Sequence, residues 1–134
     1  MFKPQKIDRY ASVSFRWSEL ACKCGCGTIF IEDAAIDKLQ MLRDIIGRPI
    51  IINSSARCPR HNARVGGAPK SQHRATKIRP ATAFDISFRG VNKQDIIDAA
   101  RLVGFKGLGI NYNSFVHVDK DPNKPANVMW DYYN

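Results

Sequence analysis

The stretch that decides the fold runs from residue 53 to residue 119 and carries three short segments with candidate metal ligands. These segments are Ser71-Gln-His73, Ala81-Thr-Ala-Phe-Asp85 and Phe115-Val-His-Val-Asp119. Two histidines and an aspartate suit a catalytic zinc site, in which three protein ligands leave one position open for water. We therefore predict that His73, Asp85 and His117 bind one catalytic Zn²⁺ ion.

Apolar periodicity on both sides of these segments predicts helices and strands in mixed order. The predicted elements are a helix capped by Asp33 and stopped by Gly47 and Pro49, and a helix from about Asn92 to Val103 that Gly104 ends. A helical turn is predicted from Pro59, and strands are predicted over 49–53, 84–88, 108–112 and 115–119. This order indicates an α+β fold with two main helices and a small, mostly antiparallel sheet. The length of 134 residues fits a single domain over residues 1–134, with residues 1–14 either part of it or an extension.

The last predicted strand holds a carboxylate close to a candidate ligand. Residues two apart in a strand point to the same face, so His117 and Asp119 are expected to face one cleft. Asp119 is then a candidate catalytic residue that either accepts a proton from metal-bound water or holds His117 in position. If Asp119 has neither role, Asp121 and Asp131 are the next carboxylates that could reach the site.

The charge balance favours an anionic partner. The chain has 21 Lys and Arg against 12 Asp and Glu, a formal charge of +9 that fits nucleic acid, an anionic membrane surface, an acidic cell-wall polymer or solubility alone. Basic residues are scattered and no base-reading motif is present, so no nucleic-acid partner is expected. No apolar run approaches the roughly 20 residues of a membrane span, and the first residues lack the apolar core of a signal peptide. Synthesis in the cytoplasm without a signal peptide is therefore expected.

Four cysteines form a second group, with three of them at alternate positions in Cys22-Lys-Cys24-Gly-Cys26 and the fourth at Cys58. In an extended segment the first three side chains would face one way. Four cysteines allow a tetrathiolate metal site, two disulfides, or free and packed thiols. The C-x-C-x-C spacing is unusual for structural zinc, and no metal is assigned to these residues from sequence.

Several segments together resemble one enzyme family. They are Arg57-Cys-Pro-Arg-His-Asn62, Val65-Gly-Gly-Ala68, Ser71-Gln-His73, Ala83-Phe-Asp85 and Phe115-Val-His-Val-Asp119, and they resemble the zinc D-Ala-D-Ala carboxypeptidases and phage endolysins. The resemblance covers about residues 15–130, and the run from Glu19 to Gly27 looks like the short, single-domain phage and prophage branch. It implies a hedgehog-like (LAS) fold and a zinc-dependent carboxypeptidase or endopeptidase that cuts an amide bond in a stem peptide or cross-link of peptidoglycan. It also implies action on the cell wall in the periplasm after release, and we expect a monomer.

The family pattern S-x-H-x-x-G-x-A-x-D followed by a late histidine assigns roles to residues of this chain. It implies that His73, Asp85 and His117 are the zinc ligands and that Ser71 and Arg57 contact substrate. The planar guanidinium of an arginine pairs well with a carboxylate, so Arg57 is also expected to take part in catalysis by holding a free carboxylate of the stem peptide. His61 is read as structural or substrate-facing.

The chain departs from the family pattern in two ways. Arg74-Ala-Thr-Lys-Ile-Arg-Pro80 lengthens the interval between the first two ligands, with Ala81 in place of the family glycine. We expect this inserted loop to be exposed and to shape the cleft, because it carries Arg74, Lys77 and Arg79. Lengthening a flexible loop costs only about 0.5 kcal/mol, so the ligands can still converge. In addition, several branches have an acidic residue three positions before the last histidine, where this chain has Ser114. Asp119 is its local substitute.

An alternative function is a catalytically weak or inactive cell-wall-binding module that keeps the same fold. A two-histidine, one-carboxylate iron oxygenase is disfavoured, because in that class the H-x-D segment precedes the lone histidine and many more strands surround the site.

Overall fold

The computed structural model describes residues 9–120 and 128–130. Its elements in chain order are β1 (Tyr10–Ser12), β2 (Phe15–Arg16), α1 (Trp17–Leu20), α2 (Asp33–Ile46), β3 (Ile52–Ser54), α3 (Pro59–Arg64), β4 (Ala83–Ser87), α4 (Lys93–Val103), β5 (Gly107–Gly109), β6 (Phe115–Asp119) and β7 (Val128–Trp130). The fold is α+β, as predicted. Within the described residues, no helix is long and apolar enough to cross a membrane. The residues before Arg9, and therefore most of the predicted extension, lie outside the described part of the chain, as do Asp121 and Asp131.

The main sheet has the strand order β3-β4-β6-β5-β7. Its first three pairings are antiparallel and the pairing of β5 with β7 is parallel, so the prediction of a mostly antiparallel sheet is confirmed. β1 and β2 form a separate antiparallel pair. The two central strands, β4 and β6, run alongside each other from Ala83 opposite Asp119 to Ser87 opposite Phe115.

Alternation along β4 and β6 divides the sheet into two chemically different faces. Phe84, Ile86, Val116 and Val118 are buried in one apolar cluster together with residues of the two long helices. The intervening residues project from the other face. A strand period of two therefore places apolar residues against α2 and α4 and leaves the opposite face for polar chemistry.

The ends of the two long helices follow mostly from local sequence. Asn92 caps α4, since its side chain accepts hydrogen bonds from the backbone N–H groups of Gln94 (2.8 Å) and Asp95 (3.2 Å). Gly104 ends this helix at a φ of +92°, a conformation that glycine adopts without strain. The predicted cap of α2 was wrong by one residue, because Glu32 occupies the cap position and Asp33 begins the helix. In the first turn the Asp33 carboxylate is still favoured by the helix dipole.

Strand positions were less predictable than helix positions. The segment predicted as a buried strand over 49–53 forms β3 at Ile52–Ser54, and Ile51 is exposed. Ile52 pairs with Ile86 and Ser54 with Asp85, so the partner strand β4 selects the register. The strand predicted over 108–112 is likewise shifted, to Gly107–Gly109.

The inserted loop contradicts the expectation that it lies wholly outside the core. Ile78 is 96% exposed, but Ala75 is only 1% exposed and belongs to the apolar cluster. The backbone N–H of Ala75 donates to the carbonyl of Arg57 at 2.7 Å, and the N–H of Arg57 donates to the carbonyl of His73 at 2.7 Å. A short bridge thus binds the start of the loop to the segment around Arg57, whereas Ile78 at the tip is exposed.

We predict opposite effects for substitutions at these two loop positions. Ala75→Leu should lower the free energy of unfolding by about 1–3 kcal/mol, because a close-packed site has no room for the larger side chain. Ile78→Ser should change it by less than about 0.5 kcal/mol, because Ile78 is exposed. Chemical denaturation of the two variants measures both values. Equal stability of the two variants would contradict the assigned burial of Ala75.

Candidate active site

Three predicted ligands converge at one point on the polar face of the sheet. Nε2 of His73 lies 3.0 Å from Oδ1 of Asp85 and 3.2 Å from Nδ1 of His117, and the latter two atoms are 3.0 Å apart. All three side chains are buried. His73, Asp85 and His117 form one of two groups of possible metal ligands found among the described residues, and this group is called the ligand cluster below.

The separations between these donor atoms fit a small divalent cation. Zinc bonds to nitrogen and oxygen are about 2.0–2.2 Å long, so donors in a tetrahedral site are separated by about 3.3 Å. Two imidazole nitrogens and one carboxylate oxygen are also the donor types that zinc takes in catalytic sites. The residues therefore fit the metal predicted from sequence.

Sheet pairing and a closed loop bring the ligands together. Asp85 on β4 is directly opposite His117 on β6 in the antiparallel ladder. His73 precedes β4, and the loop that follows it is closed by hydrogen bonds from the backbone N–H and hydroxyl of Thr82 to the backbone carbonyl (2.9 Å) and side-chain oxygen (2.7 Å) of Gln72. The inserted residues thus lie beyond a closed loop base, which explains how the ligands meet despite the longer interval.

A backbone carbonyl orients His73. Nδ1 of His73 lies 2.7 Å from the carbonyl oxygen of Ser55, which can only accept a hydrogen bond. Nδ1 must therefore carry the proton, and Nε2 presents its lone pair to the ligand cluster. Ser55 is itself buried, and its hydroxyl donates to the carbonyl of Ala83 on β4 at 3.1 Å.

Asp119 lies on the opposite side of His117 from the ligand cluster. Its Oδ2 atom is 2.8 Å from Nε2 of His117, and the residue is completely buried. Such a carboxylate fixes the ring and directs Nδ1 toward Asp85 and His73. Its cross-strand partner on β4 is the small residue Ala83.

The electrostatics of the cluster link its protonation to cation binding. Burial lowers the pKa of His73, although Asp85 acts in the opposite direction. Burial would raise the pKa of Asp85, but the two histidines outweigh it and hold the pKa well below the usual range. Burial also opposes the charged form of His117, yet hydrogen bonds to Asp119 and Asp85 raise its pKa. Because ligating histidines must be neutral, a proton on His117 competes directly with a cation.

Comparison with known families agrees with this geometry. The family model for peptidase M15 matches residues 13–119, which is well over half of the chain and includes every residue of the cluster. The chain belongs to the peptidase M15 family. Members of this family are zinc-dependent peptidases, in agreement with the donor set. A comparison with curated proteins gives no match.

In this member of the M15 family the ligand cluster lies in a cleft of about 530 Å³. The residues that line the cleft include Arg57, Lys70, Ser71, His73, Asp85, Tyr112, Phe115, His117 and Asp119. The rings of Tyr112 and Phe115 stack with centroids 4.2 Å apart and form an aromatic wall. Ser71 lines the cleft, and its hydroxyl oxygen accepts a hydrogen bond from the backbone N–H of His73 at 3.1 Å. Ser114 lies on the exposed turn before β6.

Arg57 is held beside the ligand cluster by polar contacts. Its Nη1 donates to the side-chain oxygen of Asn62 at 3.0 Å and its Nε to the hydroxyl of Ser54 at 3.3 Å. Nη2 lies 3.9 Å from Oδ2 of Asp85, the oxygen that faces away from the two histidines. The guanidinium is thus fixed within the same cleft as the ligands. His61, by contrast, has a buried Nδ1 without a hydrogen-bond partner among the described residues and is outside the ligand cluster.

Two residues that support Arg57 were not identified from sequence. Asn62 is buried, and its amide donates to the carbonyl of Ala68 at 2.9 Å while its oxygen accepts from Arg57. A Cβ atom at Gly67 would collide with the side chain of Asn62 and lie 2.7 Å from Nη1 of Arg57. The sequence signal was the glycine pair in Val65-Gly-Gly-Ala68, which was noted without a role. Close packing against Arg57 explains why glycine is needed at Gly67.

We predict that Gly67→Ala weakens substrate binding without removing the metal. The added methyl group should displace Asn62 and Arg57, and the loss of a charged hydrogen bond to a substrate carboxylate corresponds to an increase in KM of roughly tenfold or more. Gly90→Asn is the matched control, because Gly90 is outside the cleft, the space around it is open and asparagine tolerates its positive φ of +77°. Steady-state kinetics with zinc-loaded protein measures the change. An unaltered KM for Gly67→Ala would exclude the proposed packing role.

Proposed function

We propose that the protein is a zinc-dependent peptidoglycan peptidase that hydrolyses an amide bond in a stem peptide or cross-link. The observation that supports this most directly is the presence of the ligand cluster and a fixed guanidinium in one cleft, with Nη2 of Arg57 3.9 Å from Asp85. A cleft with both features can bind a peptide carboxylate and place a neighbouring amide bond at the metal. Membership of the M15 family supports the same reaction.

The proposed chemistry divides between the ligand cluster and Arg57. His73, Asp85 and His117 would hold Zn²⁺, which lowers the pKa of a bound water to about 7 and polarises a carbonyl group. Arg57 pairs with a free carboxylate of the stem peptide and fixes the position of the scissile bond. Ser71 also lines the cleft and is proposed to contact substrate.

We assign Asp119 to the positioning of His117. Its Oδ2 atom is engaged by the histidine ring at 2.8 Å, and the side chain is completely buried. A proton acceptor must instead reach the attacking water within hydrogen-bonding distance. Asp85 and Asp119 are the two carboxylates that line the cleft within the described residues, so Asp119 remains the residue to test for both roles.

Charge supports an anionic polymer as the substrate. The chain carries a formal charge of +9, and Lys70 joins Arg57 among the residues that line the cleft. Positive charge around a cleft raises the local concentration of an anionic substrate. We therefore propose that the protein acts on the cell wall. We also propose that it acts as a monomer.

The first experiment is digestion of purified peptidoglycan by zinc-loaded protein, with mass spectrometry of the released fragments. Release of terminal D-alanine indicates a carboxypeptidase. Fragments that carry a newly freed amino group from a former internal amide bond indicate an endopeptidase. A protein stripped of metal by a chelator serves as the negative control. Binding to peptidoglycan without any cleavage would favour the alternative function, an inactive cell-wall-binding module.

We predict that His73→Ala, Asp85→Ala and His117→Ala each lose one equivalent of zinc relative to the unsubstituted protein, together with hydrolytic activity. Each change removes one of the three donors that form the site. His61→Ala is the matched control, because His61 is outside the ligand cluster and should leave zinc content unchanged. Elemental analysis after dialysis measures the content. If all three variants keep the same zinc content as the unsubstituted protein, the ligand assignment is wrong.

Asp119→Asn separates the two roles of that carboxylate. As a positioning residue, Asp119 should contribute about 10–100-fold to zinc affinity, while kcat at saturating zinc stays within a few-fold of the original value. A proton acceptor would instead show normal zinc affinity and a loss of about 100-fold or more in kcat. Competition with a chelator and steady-state rates over a zinc titration measure the two quantities. The second pattern would overturn our assignment.

A further inference from the structure

The second group of possible ligands lies outside the cleft and consists of Cys22, Cys24, Cys26 and Cys58, hereafter the cysteine cluster. All four sulfur atoms lie within 4.8 Å of one another. The Sγ atoms of Cys22 and Cys24 are 3.4 Å apart, and those of Cys24 and Cys58 are 3.8 Å apart. All four cysteines are free thiols, so the sulfur atoms approach one another without a covalent bond.

A tight turn, and not an extended segment, brings the first three cysteines together. The N–H of Gly25 donates to the carbonyl of Cys22 at 3.3 Å, and the N–H of Cys22 donates to the carbonyl of Thr28 at 2.9 Å. Gly25 and Gly27 have φ values of +88° and +83°, which glycine adopts readily. The glycine-containing turn, and not strand alternation, therefore brings together the three cysteines that occupy alternate positions in the sequence.

Cys58 reaches this turn from a distant part of the chain. It occupies the cap position before α3, and the backbone N–H of Ala56 donates to the carbonyl of Leu20 at 3.2 Å. Two backbone N–H groups point at sulfur atoms of the cluster. Cys58 donates to Sγ of Cys22 at 3.4 Å, and His61 donates to Sγ of Cys58 at 3.3 Å. Such donors stabilise negative charge on sulfur and so favour thiolate ligands.

We propose that the cysteine cluster binds a second Zn²⁺ ion through four thiolates. Zinc–sulfur bonds are about 2.3 Å long, so sulfur atoms in a tetrahedral site lie about 3.8 Å apart. The observed separations of 3.4 and 3.8 Å are close to that value. Thiolates favour soft or borderline cations, and four sulfur donors in tetrahedral array are typical of zinc.

This second site would be structural. Four protein ligands leave no position for water, in contrast to the three-ligand site in the cleft. A metal there would join the turn over residues 22–26 to Cys58, the residue that directly follows Arg57. The inference is independent of the proposed peptidase activity, because it concerns sulfur ligands outside the cleft.

Metal content and cobalt absorption test this proposal. The unsubstituted protein should hold two equivalents of zinc, and both Cys24→Ser/Cys26→Ser and His73→Ala/His117→Ala should hold one. Cys24 and Cys26 are exposed, so serine at these positions disturbs no core packing. After exchange with Co²⁺, the histidine variant should keep the near-ultraviolet charge-transfer absorption of thiolate-bound cobalt, and the cysteine variant should lose it.

The unsubstituted protein alone provides a second measurement if the cysteine variant fails to fold. With zinc bound, the four thiols should react slowly with a thiol reagent, and a chelator should accelerate the reaction by tenfold or more. Absence of thiolate-to-cobalt absorption in the unsubstituted protein would overturn the proposal. So would reaction rates that are the same with and without zinc, or the finding of disulfides in the purified protein. If the histidine variant loses activity but keeps the cobalt absorption, the result would support the second site independently of the proposed site in the cleft.

Discussion

The antiparallel pairing of β4 with β6 is the constraint on which the rest of the site depends. It sets Asp85 opposite His117 and Ala83 opposite Asp119, so one ladder positions two proposed metal ligands and the carboxylate behind one of them. A slip of one residue would turn the polar side chains toward the helices and the apolar ones toward the cleft. The apolar cluster beneath Phe84 and Val118 resists such a slip, because every apolar residue on that face would lose its burial. Core packing thereby keeps the polar residues of β4 and β6 in the register that forms the site.

The cleft and the cysteine cluster meet at one short segment of the chain. Arg57 faces the ligand cluster, and its neighbour Cys58 faces the turn that contains the other cysteines. The backbone of Arg57 is also bonded to His73 and Ala75. The proposed substrate-binding arginine, one proposed metal ligand and the proposed structural site therefore share a few residues of backbone. Small displacements of this segment should affect all three together.

Local signals predicted much of the fold and pointed to the three side chains that converge in the cleft. The two long helices and β6 follow from periodicity and from end residues such as Asn92 and Gly104, whose effects act within a few positions. The ligands were predicted because their chemistry and order are distinctive. The start of β3 was missed because its register depends on pairing with β4, and that information is not local.

Other features were missed because they depend on contacts between distant residues. A single small apolar residue in a polar loop gives little sign of burial, which is why the role of Ala75 could not be predicted. The support of Arg57 by Asn62 and Gly67 likewise requires the folded arrangement. The convergence of the cysteine cluster depends on positive φ angles at two glycines, which the sequence permits but does not specify.

The two histidine ligands differ in how evolution can adjust them. His73 is held by the main-chain oxygen of Ser55, which every amino acid possesses, so no substitution at Ser55 deletes that acceptor. His117 is held by the side chain of Asp119, which a single codon change can replace. A substitution of Asp119 can therefore change the pKa of His117, while the hydrogen bond that orients His73 stays the same. Substitution at residue 119 alone could therefore change the affinity of the proposed zinc site. The backbone carbonyl of Ser55 would preserve the orientation of His73.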